Sequence, residues 1–218
     1  MGKFGHWGWA VEVPGTAALN RGDAEVSSVS CAGAGACAAG GYYTSGSGYD
    51  RAFVVSETHG RWGQAVEVRR TVALYSGSAR VTSVSCAAAG VCVAGGYFTD
   101  LSLDRQAFVV SSKDGRWGRA VAVPGSGDAE VSSVSCGAAG ECVAGGRFMD
   151  AFGHFQAFVV SETDGHWGHA IKVPGTAALN RGDAQVNAIS CDAVGPCAAG
   201  GSYQDGSGGY QAFGVTRR

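Results

Sequence analysis

Three aspartates follow an aromatic residue at matching places along this chain: Phe98-Thr99-Asp100, Phe148-Met149-Asp150 and Tyr203-Gln204-Asp205. A fourth copy, Tyr43-Thr44-Ser45, carries serine instead. An aromatic ring beside a carboxylate suits carbohydrate, because the ring stacks on sugar C–H faces while planar polar groups take the hydroxyls. Tyr43, Phe98, Asp100, Phe148, Asp150, Tyr203 and Asp205 are therefore the candidate ligand-binding set, with a glycan or other small polar molecule as partner. The competing reading has the rings packing between structural units and the aspartates capping tight turns. Carboxylates and loop carbonyls are also hard ligands of the kind Ca²⁺ takes. No dense Asp-x-Asp loop accompanies them, so no cofactor is expected, and Ca²⁺ stands as the alternative.

The other residues capable of chemistry are eight cysteines in four C-x5-C pairs. Zinc knuckles use shorter spacings, usually with a second pair or histidines nearby. Here each pair brackets a small-residue turn between two strand-like runs, and strands leaving one hairpin bring such ends within disulfide range. Four disulfides are expected: Cys31 with Cys37, Cys86 with Cys92, Cys136 with Cys142, and Cys191 with Cys197. Four such bonds point to an oxidising compartment, hence to secretion. His166 and His169 lie three apart on a strand and face opposite sides, which argues against shared metal ligation. No nucleophile-elbow or metalloprotease motif occurs. Asp150 with His154 in the loop MDAFGHF is the pair on which an alternative reading rests, an enzyme with one axial site.

The elements that must position these residues are copies of one unit. VSSVSC (26–31), VTSVSC (81–86), VSSVSC (131–136) and VNAISC (186–191) each lead to a second cysteine, then AGG, an aromatic stretch, AFVV or AFGV, and G-x-W-G. Self-similarity at roughly 50–55 residues marks stacked or radially arranged supersecondary units. Each unit holds four strand candidates: the Val/Ser run, the stretch from the second cysteine (37–43 and equivalents), AFVVSE (52–57 and equivalents), and WGQAVEV (62–68 and equivalents). In the last of these Trp62, Gln64, Val66 and Val68 share one face, the period-two pattern of a strand. Four short strands per unit are the anatomy of a β-propeller blade.

The predicted fold is thus all-β, a four-bladed propeller of one domain over 1–218. Its blades fall near 24–69, 79–124, 129–174, and 184–218 plus 6–14. The last unit lacks a fourth strand and the chain opens with WGWAVEV (7–13), so this N-terminal strand is expected to close the last blade. The runner-up is the same blade in an eight-bladed dimer or an open repeat stack. Trp7, Trp62, Trp117 and Trp167 read as inter-blade packing. Loops from the fourth strand to the next first strand, and from the second to the third, share one face, where the copies differ most. An exposed apolar patch around Trp9, Leu101, Leu103 and Phe152 would instead mark a protein-interaction or structural module.

The turn Ser111-x-x-Asp114-Gly115-x-Trp117, repeated at 161–167, resembles a shortened Asp-box of sialidase-type propellers. There the motif is a structural staple. The whole unit, SVSC…C-x-AGG…AFVVSE…G-x-W-G, resembles a tandem repeat of secreted actinobacterial proteins. That resemblance implies secretion and a β-repeat fold, and carries no activity with it. Net charge is −2 and charged residues make up 16%, so no footprint for nucleic acid is expected. No apolar run approaches the ~20 residues of a membrane span. Met1-Gly-Lys-Phe leads directly into a Trp-Gly unit without a secretory leader, as a mature or recombinant form would. Repeated sites would act through avidity, so the expected function is a secreted, multivalent, lectin-like binding module.

Overall fold

Each Val/Ser run forms the edge strand of a separate antiparallel sheet. The computed structural model describes residues 7–69, 77–123, 127–193 and 195–217. The first sheet contains β1 (Ala24–Gly33), β2 (Ala36–Thr44), β3 (Asp50–Thr58), β4 (Arg61–Trp62) and β5 (Val66–Glu67). The second repeats it with β6 (Ala79–Ala88), β7 (Val91–Thr99), β8 (Arg105–Lys113), β9 (Arg116–Trp117) and β10 (Val121–Ala122). The third has β11 (Ala129–Ala138), β12 (Glu141–Met149), β13 (Phe155–Thr163), β14 (His166–Trp167) and β15 (Ile171–Lys172). The fourth has only β16 (Ala184–Cys191), β17 (Cys197–Gln204) and β18 (Tyr210–Arg217) among the described residues. Two one-turn helices, α1 (Thr16–Leu19) and α2 (Thr176–Leu179), precede the first and fourth sheets.

Local chemistry sets the hairpins. All four cysteine pairs are disulfide-bonded within their own hairpin, and in each the two residues sit directly opposite in the ladder. Closing so short a loop contributes roughly 2 kcal/mol each in the chain-entropy model. The third-strand hairpins turn on Asp114-Gly115 and Asp164-Gly165, with His59-Gly60 in the first sheet, and both residues of each pair have positive φ. That is the two-residue turn whose twist matches the flanking strands.

The expected single fourth strand is split into two short pieces. Trp62 pairs with Glu57 and Val66 with Val54, so three steps along β3 face four along the outer segment. The extra residue reverses the alternation. Trp62, Ala65 and Val68 turn inward and Val66 points to solvent, so the shared face expected for Trp62, Gln64, Val66 and Val68 does not form.

Successive sheets pack face to face through one repeated lock. Gly40 of β2 leaves room for Val81 and Val84 of β6; Gly95 does so for Val131 and Val134, and Gly145 for Val186 and Ile189. A side chain at these glycines would occupy the space the valines fill. The edge strands also need partners for the N–H groups that point away from their own sheet. Serine hydroxyls of the preceding sheet supply them: Val84 N and Cys86 N donate to Ser28 and Ser30 Oγ at 2.9 and 3.0 Å. Val134 N and Cys136 N donate to Ser83 and Ser85, and Ile189 N and Cys191 N to Ser133 and Ser135, all within 3.0 Å. Valines and phenylalanines from both sheets fill each boundary, Phe108 and Phe158 among them.

The ends of the array depart from the expected four-bladed closure. Residues 7–13 form no strand, Trp7 and Trp9 are exposed, and no closed sheet forms among the described residues. The segment is instead held beside the first sheet, where Pro14 O accepts from Ala65 N at 2.8 Å and Val13 packs near Trp62. Those contacts are short-range in space and leave the strand's ladder unpaired. Much of the variable loop 69–79, and part of 124–129, lies outside the described residues, as does His6.

Candidate functional site

The sequence-predicted aromatics are drawn into the protein. Tyr43 and Phe98 are 3% and 2% exposed. Phe98 lies against Phe108 with ring centroids 6.4 Å apart, and Phe148 against Phe158 at 6.3 Å. Tyr203 packs against the cluster of Ala157, Val173, Ala184 and Val186. Burial, then the neighbouring Glu67 carboxylate, raises the Tyr43 phenol above its ordinary range; its hydroxyl meets Glu67 Oε2 at 3.3 Å. Tyr43 and Phe98 are core and present no face to a sugar, while Phe148 and Tyr203 are half-buried.

The aspartates are turn staples. Asp100 Oδ1 accepts from Ser102 N and Asp104 N at 2.8 and 3.2 Å, and Oδ2 accepts from Gln106 Nε2 at 2.9 Å. Asp150 makes the same three bonds with Phe152 N, His154 N and Gln156 Nε2. Asp205 makes them with Ser207 N, Gly209 N and Gln211 Nε2, and adds the Ser207 hydroxyl at 2.6 Å. The Ser207 hydroxyl and the Gln211 amide, with these N–H groups, hold the Asp205 carboxyl down to about 2. At Asp150 a desolvation effect that would raise the value is outweighed by the His154 and Phe152 N–H groups and the Gln156 amide, so the carboxyl is lowered. The Asp150–His154 link expected for an acid–base pair thus runs through the His154 backbone.

One residue earlier on the same strands, the side chains face the other way. Tyr42, Tyr97, Arg147 and Ser202 pair across the ladder with Glu25, Arg80, Glu130 and Gln185. Together with the first residues of the third strands (Asp50, Arg105, Phe155, Tyr210) they line grooves between sheets at the loop end. In the first groove Arg80 lies 3.9 Å over the Tyr42 ring and binds Asp50 at 2.6 Å. In the second the charges are reversed: Arg105, 4.5 Å over Tyr97, binds Glu130 at 2.6 Å, and Glu130 also takes Arg147 at 3.0 Å.

Among the described residues the third groove has no such ion pair between its sheets. Phe155 and Gln185 stand where the first two grooves carry opposite charges, and Arg147 lies 4.3 Å over the Phe155 ring. The buried Arg147 Nε has no hydrogen-bond partner. The result is a groove of about 320 Å³ lined by Arg147, Phe155, Asp183, Gln185, Ser202 and Tyr210. Asp183, at a Gly-Asp turn, accepts from Phe155 N at 2.9 Å and so pins the groove floor. An open aromatic, a guanidinium, an amide and a hydroxyl converge there. That donor set has the chemistry to stack on and hydrogen-bond a polyhydroxylated molecule. Burial turns Tyr43 and Phe98 into the core, while the positions before them face the grooves and vary more: Tyr, Tyr, Arg and Ser against Tyr, Phe, Phe and Tyr.

A second cavity, of about 430 Å³, opens at the disulfide end between the second and third sheets. Ser111, Ser112, Arg116, Cys136, Cys142 and Glu162 contribute to its wall. Glu162 is 2% exposed; its Oε1 accepts from the Ser111 hydroxyl at 3.2 Å and its Oε2 has no partner. Burial raises its pKa, the Ser111 hydroxyl opposes the shift, and Glu141 adds to it. Among the described residues no group of three or more His, Cys, Asp or Glu side chains is arranged to hold a metal ion. No described helix is long and apolar enough to cross a membrane. No protein-family model matches the chain, and no curated protein matches its sequence.

Proposed function

We propose that this chain is a secreted, multivalent binding module of β-propeller type, one domain over 1–218, that takes glycans in the inter-sheet grooves of its loop end. The groove between the third and fourth sheets is the principal site. The observation that carries this reading is the groove itself, where the Arg147 guanidinium stacked on Phe155 shares a wall with Gln185, Ser202 and the exposed Tyr210 ring. A sugar would stack on Tyr210 and hydrogen-bond the Gln185 amide and the Ser202 hydroxyl. The first two grooves share the architecture but are bridged by an ion pair between their sheets, so they would bind more weakly and act through avidity. Four disulfides support an oxidising, extracellular setting.

The test is a glycan array of neutral and acidic glycans, followed by calorimetry on the strongest hit. Arg147→Met and Tyr210→Ala should each weaken binding at least tenfold, with melting temperatures close to the parent's. Silence of the parent protein across the array would sink the reading.

A second reading rests on the exposed loop tips Leu101, Leu103 and Phe152, at 66%, 77% and 86% exposure. Apolar side chains so placed fit a protein partner at the same end. Replacing all three with serine would abolish such a contact and leave glycan binding in the third groove intact.

A further inference from the structure

Three inter-sheet boundaries in this chain use the same lock, and each end of the array exposes one half of a fourth. On the first sheet Val26 and Val29 are 44% and 59% exposed, whereas their counterparts Val81 and Val84 are 0% and 6%. No neighbouring serine hydroxyl reaches Val29 N or Cys31 N among the described residues. On the fourth sheet the socket glycine, Gly200, has no neighbouring sheet in front of it. Ala198 and Ala212, which match the buried Ala38 and Ala52, are exposed.

We infer that a second copy of this chain docks head to tail on the fourth sheet, seating its Val26 and Val29 over Gly200 and adding its residues 7–13 as that sheet's outer strand.

The outer strand is already in position to do so. Pro14 O accepts from Ala65 N just as Arg69 O accepts from Ala120 N, both at 2.8 Å. Residues 7–14 therefore stand before the first sheet as 62–69 stand before the second. The pairs Phe53↔Glu67 and Val54↔Val66 then place Glu12 opposite Phe213 and Val11 opposite Gly214 of the partner copy. Trp117 Nε1 donates to Ser56 and Trp167 Nε1 to Ser111. By the same offset Trp62 would meet the Thr216 hydroxyl. At the groove position held by Asp50–Arg80 and Arg105–Glu130, the new boundary brings Tyr210 to Glu25, a hydrogen-bonding pair without like charges.

A second copy is favoured over self-closure because three like boundaries in succession leave both end faces of one molecule in solvent. Such a contact is heterologous, with different patches on the two partners. One departure from the repeat sets its strength: Ala188 replaces the serine found at Ser28, Ser83 and Ser133, so the new boundary lacks one of the two hydroxyl staples.

Light scattering after size exclusion tests this. The parent should run at the mass of two or more 22.0 kDa chains, because each added copy carries a free half of the same contact unless the ring closes. Val29→Asp and Gly200→Leu, each at a site exposed in the single chain, should run as monomers with unchanged circular dichroism. Mixed in equal amounts they should associate again, because each retains the half the other has lost. Ala188→Ser should tighten association roughly fivefold, the effect of one added hydrogen bond. A parent monomer at all attainable concentrations overturns the proposal. Monomeric mass with a lowered melting temperature in Val29→Asp would identify self-closure instead, and failure of the mixture to associate would overturn the head-to-tail arrangement.

Discussion

Trp117 donates its indole Nε1–H to Ser56 Oγ across the boundary between the first and second sheets at 3.1 Å, and Trp167 repeats the bond to Ser111 one boundary later at 3.4 Å. The indole thus fills the space between two sheets and satisfies its one polar atom on the far side, as a buried tryptophan must. The serine staples on the edge strands follow the same logic at the other end of the sheet. Both make the boundaries between sheets, rather than the sheets alone, the place where stability is decided.

Ser83→Ala removes the hydroxyl that accepts from Val134 N at 3.0 Å and leaves that N–H without a partner in a well-packed boundary. Stability should fall by about 1–3 kcal/mol. Urea unfolding monitored by tryptophan fluorescence measures it, and an unchanged midpoint would show the staple to be dispensable.

Gly95→Ala and Gly200→Ala are the same change in equivalent strands with different surroundings. At Gly95 the new methyl meets Val131 and Val134, which should cost about 1–3 kcal/mol through overpacking. At Gly200 the nearest heavy atom lies 3.7 Å away. In dilute protein that variant should melt within a degree or two of the parent, a shift worth roughly 0.5 kcal/mol or less.

The pH dependence has two carboxyls pulling in opposite directions. Glu162 has a raised pKa in the folded state, so the native protein holds its proton at pH values where the unfolded chain has lost it. Stability from this group is present below the unfolded value of 4.5 and is lost as pH rises through the folded one. Asp205 behaves conversely: its contribution is present above 3.8 and is lost as pH falls through about 2. Glu162→Gln should therefore raise the melting temperature at pH 7 and leave it nearly unchanged at pH 4. Carboxyl NMR titration should find the Asp205 midpoint near 2 and see it rise in Ser207→Ala.

Gln185→Glu restores to the third groove the acid that Glu130 supplies in the second. The new carboxylate would pair with Arg147 and occupy its unmet donor. Glycan binding should weaken at least tenfold while the melting temperature holds or rises. Calorimetry and a thermal melt on one sample separate this outcome from simple misfolding.

Features written within a few residues of chain were legible before any coordinates. The cysteine pairs, the Asp-Gly turns and the Val/Ser strands are of this kind, because a hairpin is specified by its own turn and ladder. Which side of a strand faces the inter-sheet grooves was not legible, since the aromatic doublets Tyr42-Tyr43 and Tyr97-Phe98 satisfy a stacking argument in either orientation. In a strand a one-residue slip exchanges the two faces. The extra residue between Trp62 and Val66 misled the alternation in the same way. The fate of residues 7–13 was beyond local reading altogether: they pair with no strand among the described residues, and no turn encodes a partner for them.

Eight cysteines can pair in about a hundred ways. In this chain each cysteine meets its partner six residues away, across the tip of its own hairpin. The correct partner is thus the first one encountered, and oxidation can keep pace with a chain threading into an oxidising space. In such a setting each sheet would be sealed before the next emerged, with little need for an isomerase to undo mistakes.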